Sequence, residues 1–407
     1  MNVLYISYDG MTDPLGQSQV IPYLQGLSKL GHSISIISCE KPERKNDQSK
    51  IQNILSESGI DWYPVSYTKK PPVLSTIQDI RTIYKLSVRV LKERKIEAVH
   101  CRSYIPALVG LRLKKKFGLK FIFDMRGFWA DERVEGGLWN LKNPLFKIIF
   151  NYFKKKEKHF LAEADSIISL TENAKQEILT WKINSGKPLI IDVIPCCVDL
   201  NLFDSNKISA DKILSKKTEL GLHKSSFILS YVGSIGTWYL GNEMLQFFSR
   251  LLIKIPDAKF LFITPESSEV VLKMASGQNI PADSLVILKG ARNEMPLLIK
   301  CADVSIFFIT PTFSKKASSP VKQGEIMSLG IPIICNSKIG DTDKIILESH
   351  AGFVLNELNN ETFDHTISQL SKLQQLNTHE IRRGAEKFYS LEKGIAAYNE
   401  VYKRLEN

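Results

Sequence analysis

No stretch of this sequence is long and apolar enough to cross a bilayer, since none approaches the roughly 18 residues that a spanning helix needs. Cysteine is sparse. The six cysteines, Cys39, Cys101, Cys196, Cys197, Cys301 and Cys335, form no CxxC pair and no metal-ligand spacing. Neither a structural metal nor a disulfide framework is therefore expected. Most of them sit in apolar, strand-like runs, where a free thiol behaves as a small hydrophobe. That favours a reducing cytoplasmic location over a secreted one. The chain opens directly into an apolar run at residues 3–7, without the pattern of a signal peptide. Low-complexity segments are missing too. Acidic residues are the minority charge, 43 Asp and Glu against 54 Lys and Arg, giving +11 over 407 residues. A dispersed basic excess suits anionic partners. It lacks the aromatic-interleaved stripe of a nucleic-acid reader, and no nucleic acid is expected.

What the chain does carry is regular alternation. Short runs rich in Val, Ile and Phe predict strands at 3–7, 33–38, 60–65, 98–101, 120–124, 166–170 and 190–194, and again at 228–232, 259–263, 286–289, 304–309, 332–335 and 352–355. Longer amphipathic stretches separate them. Continuous apolar strands at helical spacing belong to parallel sheets covered on both faces. The expected fold class is α/β, with two Rossmann-like, doubly wound domains in series. The expected division is 1–197 joined by a closing helix at 390–407, and 198–389. Ligands of such sheets bind at the carboxyl ends of the strands. Two such domains facing each other would enclose a cleft.

Four loops follow strands and carry polar chemistry. The first, DGMTDPLGQSQ at 9–19, sets Gly10 and Gly16 about a proline before a helix. Such a turn lets main-chain N–H groups meet an anion, although it is neither GxGxxG nor a P-loop. The second, DMRGFWADERVE at 124–135, mixes Asp124 and Arg126 with Trp129, Asp131 and Arg133, as sugar-binding surfaces do. The third, GSIGTWYLG at 233–241, offers Gly233, Ser234 and Thr237 for a diphosphate. The fourth is SSPVKQGEIMSLGIPIIC at 318–335. Here Ser318 or Ser319 is expected to cap a helix with Pro320 in its first turn and Gly330 just past its end. Lys322 and Glu325 then share a face of that helix. Lys322 adds charge to an anion site, and Glu325 can accept two hydrogen bonds from a ribose diol. Arg292, just after a strand, is a candidate border for a nucleobase. At 144–161, Lys147, Lys154, Lys155 and Lys158 run beside Leu145, Ile148 and Tyr152, a pattern that suits an anionic membrane surface as well as a core-facing helix.

With these segments quoted, the sequence resembles the GT-B glycosyltransferases of the large retaining, family-4-like group that carries an E-x7-E motif. Glu325 matches its second Glu, and 326–334 matches the small-residue-Gly-x-Pro-Val-Ile run. The run VIPCCVDLNLF at 193–203 resembles the interdomain segment, and 398–405 the closing helix that returns to the first domain. The resemblance implies transfer of a hexosyl unit from a nucleotide-sugar donor to a glycan or lipid-linked acceptor, in bacterial surface-polysaccharide assembly. It implies no cofactor, and a cytoplasmic protein peripheral to the inner face of the membrane. The first Glu of the motif falls on Ala317, the usual cations of the third loop fall on Ser234 and Tyr239, and the usual His falls on Arg126. Lys322 and Arg126 are inferred to supply the charge instead, with Asp124 as an acceptor contact. The donor site is read as Gly16, Gly233, Ser234, Thr237, Arg292, Ser319, Lys322 and Glu325. A non-catalytic GT-B subunit and a nucleotide-sugar epimerase remain open alternatives.

Overall fold

The computed structural model describes residues 1–222 and 227–406. The chain divides into two compact units, Met1–Pro195 with Leu391–Asn407, and Cys196–Ser390. Each is built on one wholly parallel sheet. In the first, the strands are β1 (Asn2–Ser7), β2 (Ser33–Glu40), β3 (Asp61–Ser66), β4 (Ala98–Arg102), β5 (Lys120–Asp124), β6 (Ser166–Ser169) and β7 (Ile191–Val193), in the order β3-β2-β1-β4-β5-β6-β7. In the second they are β8 (Ile228–Val232), β9 (Lys259–Ile263), β10 (Leu285–Leu288), β11 (Val304–Phe307), β12 (Ile333–Asn336) and β13 (Gly352–Leu355), in the order β10-β9-β8-β11-β12-β13. Every expected strand is present, most shifted by no more than a residue or two at either end. The reason is burial: the central strands are buried along nearly their whole length and largely apolar, because helices cover both faces.

Strand order reverses between β1 and β4 in one sheet and between β8 and β11 in the other. Those switch points aim the loops after β1, β4, β8 and β11 at one end of each sheet. The backbone is strained after several strands, β4, β5, β8 and β12. Ser103, Arg126, Thr237 and Lys338 all take positive φ in loops that leave strand carboxyl ends, with values of 70°, 57°, 25° and 70°. Non-glycine residues hold such angles only where their surroundings impose them, and they gather at functional sites.

The closing helix, Leu391–Glu406, belongs to the first unit. It buries Tyr398, Val401, Tyr402 and Leu405. Its Ile395 lies where a Cβ on Gly26 would stand, 2.3 Å from the nearest side-chain atom. Glycine on the helix Ile21–Lys29 therefore lets the two helices meet.

In the second unit the helix Val321–Ser328 differs from its expected start. Pro320, not a serine, holds the cap position, and no side chain caps the helix. The Ser319 hydroxyl is turned away and accepts from the Cys196 N–H at 3.1 Å. The far end behaves as expected, with Gly330 at φ 70°. Arg382 pins that end. Its guanidinium donates to the carbonyls of Ser328 (2.7 Å), Phe203 (3.0 Å) and Leu200 (3.4 Å), and it pairs with Asp204 and Glu386. Removing it strands three carbonyl groups. Arg382→Ala is expected to cost the second unit about 2–3 kcal/mol, read as a lower urea midpoint for that unit.

Candidate active site

The chemistry of the second unit gathers where β8 and β11 diverge. Tyr231 sits on β8 with its ring fully buried. Its phenol donates to the carbonyl of Ser234 at 2.5 Å, which folds the loop after β8 back over the strand. Tyr239 closes that loop through bridges with Gly236 and Ile309. Into the space between the two rings comes Lys322, from the first turn of the helix Val321–Ser328. Its Nζ lies 3.6 Å from the Tyr239 ring centroid, 4.4 Å from that of Tyr231, and 3.2 Å from the Tyr231 Oη. Gly233 has φ 127°, and a Cβ there would stand 2.6 Å from the lysine Nζ. Only glycine gives the ammonium this room.

Lys322 is 8% exposed. Burial drives its ammonium well below the ordinary lysine value, and the nearby Glu325 carboxylate only partly opposes this. A cation held out of water on two aromatic faces is partly compensated by their π electrons. An anion would complete the compensation.

Glu325 follows one turn later and is 5% exposed. Burial pushes its carboxyl up, while Arg292 pulls it down. Arg292 is ion-paired to Glu325 Oε1, and its guanidinium rests 4.8 Å from the Phe203 ring centroid. The residue expected to border a nucleobase is thus bound to the residue expected to hold the ribose. A solvated surface pair between Lys322 and Glu325 is excluded by the burial of both. Ser234 and Thr237 are exposed on the same loop. Sequence reasoning named Gly233, Lys322 and Glu325, but not Tyr231 or Phe203, whose roles depend on contacts between distant segments.

The first unit bears on three expectations. The loop at 9–19 meets an anion, but at Met11 and Thr12 that anion is the chain's own Glu40. This carboxylate, 1% exposed, accepts from both main-chain N–H groups at 2.7 and 3.1 Å and from the Thr12 hydroxyl. Gly16 is explained by packing, because a Cβ there would lie 2.2 Å from the Gly10 carbonyl oxygen. Asp124, expected to touch an acceptor, is 1% exposed and turned inward. It accepts from the Tyr398 hydroxyl at 3.2 Å, and its other oxygen stands 3.8 Å from Arg126. Burial would push this carboxyl up, but Arg126, then His100 and Arg102, hold it below the usual value. The aromatic loop after β5 is engaged within the unit, though most of it is only half-buried. It forms the helix Trp129–Glu135. Trp129 packs against Tyr104, Trp139 and Phe153, and Asp131 pairs with Lys154 at 2.8 Å. Arg102, missed in the sequence, ends β4 with its guanidinium 3.4 Å from Asp9.

Among the described residues, no group of three or more His, Cys, Asp or Glu side chains is placed to share a metal ion. No described helix is long and apolar enough to cross a membrane.

Comparison with known proteins fits this arrangement. Residues 19–202 match the family model described as Glycosyltransferase Family 4, and 213–387 match the one described as Glycosyl transferases group 1. Over 372 residues the chain is 24% identical to the UDP-Gal:alpha-D-GlcNAc-diphosphoundecaprenol alpha-1,3-galactosyltransferase of Escherichia coli, covering 88% of each chain. The fold is similar to that of a glycosyltransferase from Rickettsia africae (TM-score 0.72, 17% identity, 100% of this chain and 98% of that one). It is also similar to Anabaena HepE in complex with UDP-glucose (TM-score 0.69, 11% identity, 99% and 100%).

A buried, partly compensated cation lowers stability in return for its chemistry. Lys322→Met keeps the volume and removes the charge. It is expected to stabilise the second unit by about 1 kcal/mol or more, raising its Tm. A fall in Tm would show that the ammonium is already satisfied by its neighbours.

Proposed function

The chain belongs to the family 4 glycosyltransferases, and from that premise we propose that it moves a hexosyl unit from a nucleoside diphosphate sugar to a glycan or lipid-linked acceptor, with retention, in the assembly of a bacterial surface polysaccharide. The observation that carries this reading is the desolvated ammonium of Lys322, lodged beside Gly233. The difficult event is departure of the diphosphate from the anomeric carbon. Lys322 meets the charge that develops on it, and the main-chain N–H groups of the Gly233 loop add to the field. Both are preorganised, so little reorganisation is needed as the bond breaks. Ser234 and Thr237 offer hydroxyls to the same phosphates. Glu325 accepts from the ribose diol, with Arg292 orienting its carboxylate and bordering the base. Ser319 keeps the main chain beside this helix in register. In the first unit, Arg126 is assigned a second cationic role, with Asp124 holding it in place.

The Escherichia coli relative acts, by its name, on a diphosphoundecaprenol-linked acceptor with UDP-galactose, which supports a uridine nucleotide and a lipid-linked acceptor here. The proposed location is the cytoplasmic side of the cell membrane. The helix Pro144–Glu163 supports it. Leu145, Ile148 and Tyr152, at helical spacing, are 53%, 66% and 45% exposed. Residues 136–156 contain five lysines and no Asp or Glu. An apolar stripe with a basic collar suits an anionic leaflet.

Two experiments test this reading. UDP is expected to raise the Tm of the purified protein, and Glu325→Gln to weaken UDP binding about tenfold, a loss of roughly 1.4 kcal/mol. No shift with any nucleoside diphosphate would overturn the enzyme assignment. The protein is also expected to sediment with vesicles containing phosphatidylglycerol and not with purely zwitterionic ones. Leu145→Asp with Ile148→Asp should abolish that binding, and equal sedimentation of the double variant would refute the proposed surface.

A further inference from the structure

We infer that the C-terminal helix takes part in the reaction through Tyr398, a positioning residue that acts on Arg126 by way of Asp124; this rests on the assignment of Arg126 to the site. Asp124 ends β5, and its carboxylate is buried to 1% exposure. A charge this deep must be satisfied by donors. The hydroxyl of Tyr398 supplies one, at 3.2 Å from Oδ2. His100 faces the same oxygen with Nε2 at 3.5 Å, while its Nδ1 lies 2.8 Å from the Tyr402 hydroxyl. Burial pulls the His100 imidazole below its ordinary value and so favours the neutral ring. The second carboxylate oxygen, Oδ1, makes no hydrogen bond among the described residues; the cation facing it is Arg126, whose Nη1 lies 3.8 Å away, an ion pair without a direct bond.

The chain of contacts thus has a direction. Tyr398 holds Oδ2 by a hydrogen bond, with His100 packed beside it, and this sets the rotamer of Asp124. That rotamer leaves Oδ1 for the guanidinium. The main chain of Arg126 is in the left-handed region at φ 57°, uncommon for a residue with a side chain. Its side chain is 10% exposed, so its orientation depends on the groups beneath it.

Packing alone does not call for a phenol at 398. The ring is 5% exposed, edge-on to Tyr23 at 5.4 Å and tilted against His100 at 5.6 Å. A phenylalanine would fill the same contacts. Burial holds the Tyr398 phenol far above its ordinary value, so it remains a donor. What the hydroxyl adds is the bond to a carboxylate that lies 274 residues away in sequence.

The test is a double-mutant cycle on full-length protein, with UDP release measured from the sugar nucleotide of highest turnover in a donor panel. Tyr398→Phe is expected to lower kcat about tenfold and leave the donor KM within about twofold. In the Arg126→Ala background the same substitution is expected to cost nothing, because the group it positions is gone. If Tyr398→Phe lowers kcat by the same factor in both backgrounds, or leaves it unchanged in the first, the positioning role is overturned. If Arg126→Ala alone leaves kcat unchanged, the assignment of Arg126 fails as well, and that outcome is distinguishable because it needs no change at 398. Asp124→Asn combined with Arg126→Ala repeats the cycle one contact closer should the phenylalanine variant fold poorly. Additive losses there would equally refute the relay.

Discussion

The second unit is organised around the burial of one ammonium. Taking a lysine head group out of water is expensive unless something replaces its hydration. At Lys322 the replacements are two tyrosine ring faces and one phenol oxygen. Each makes a demand on the sequence. The rings require Tyr231 inside β8 and Tyr239 at the end of the loop that follows it. The ammonium requires a residue without a side chain at Gly233. The approach of the helix requires Arg382 to hold its far end. None of these replacements is an anion, and Glu325 is already engaged by Arg292. The site therefore sets a buried amine at its centre, without an anion against it, before any ligand arrives; that is the preorganisation the proposed stabilisation of a leaving diphosphate calls for.

Parallel sheets make such a centre possible. Their strands are buried on both faces, so polar groups can emerge only at the ends. The chain order puts Gly233 and Lys322 in segments that follow β8 and β11, the two strands flanking the switch point. The first unit repeats the logic with different residues. Arg102, Asp124 and Arg126 end or follow β4 and β5, and the closing helix supports them from below through Tyr398 and Tyr402.

Much of this was legible in the sequence, and the parts that were not share a cause. Strands were readable because burial on both faces writes a largely apolar run, as in FLFI of β9. Gly233, Lys322 and Glu325 were readable because they lie beside strand ends and helix punctuation. The direction of a side chain was not. Asp124 looked available to an acceptor until the closing helix placed Tyr398 against it. Trp129 and Asp131 looked like a sugar-binding surface, yet Trp139, Phe153 and Lys154 absorb them. Glu40, far from the loop at 9–19 in sequence, supplies the anion that the loop's N–H groups were expected to seek. In each case the missing information was a tertiary partner at long sequence separation, which local patterns do not encode.

We propose the desolvated Lys322 as the partner of the diphosphate. An anion that settles against an ammonium with a depressed pKa raises that pKa, so binding must draw in protons. Calorimetric titration with UDP at a series of pH values, each repeated in buffers of different ionisation enthalpy, measures this directly. Net proton uptake on binding in the native protein, lost in Lys322→Met together with most of the affinity, is the predicted result. Binding heats that are the same in every buffer, or a methionine variant that binds UDP as tightly as the native chain, would contradict it.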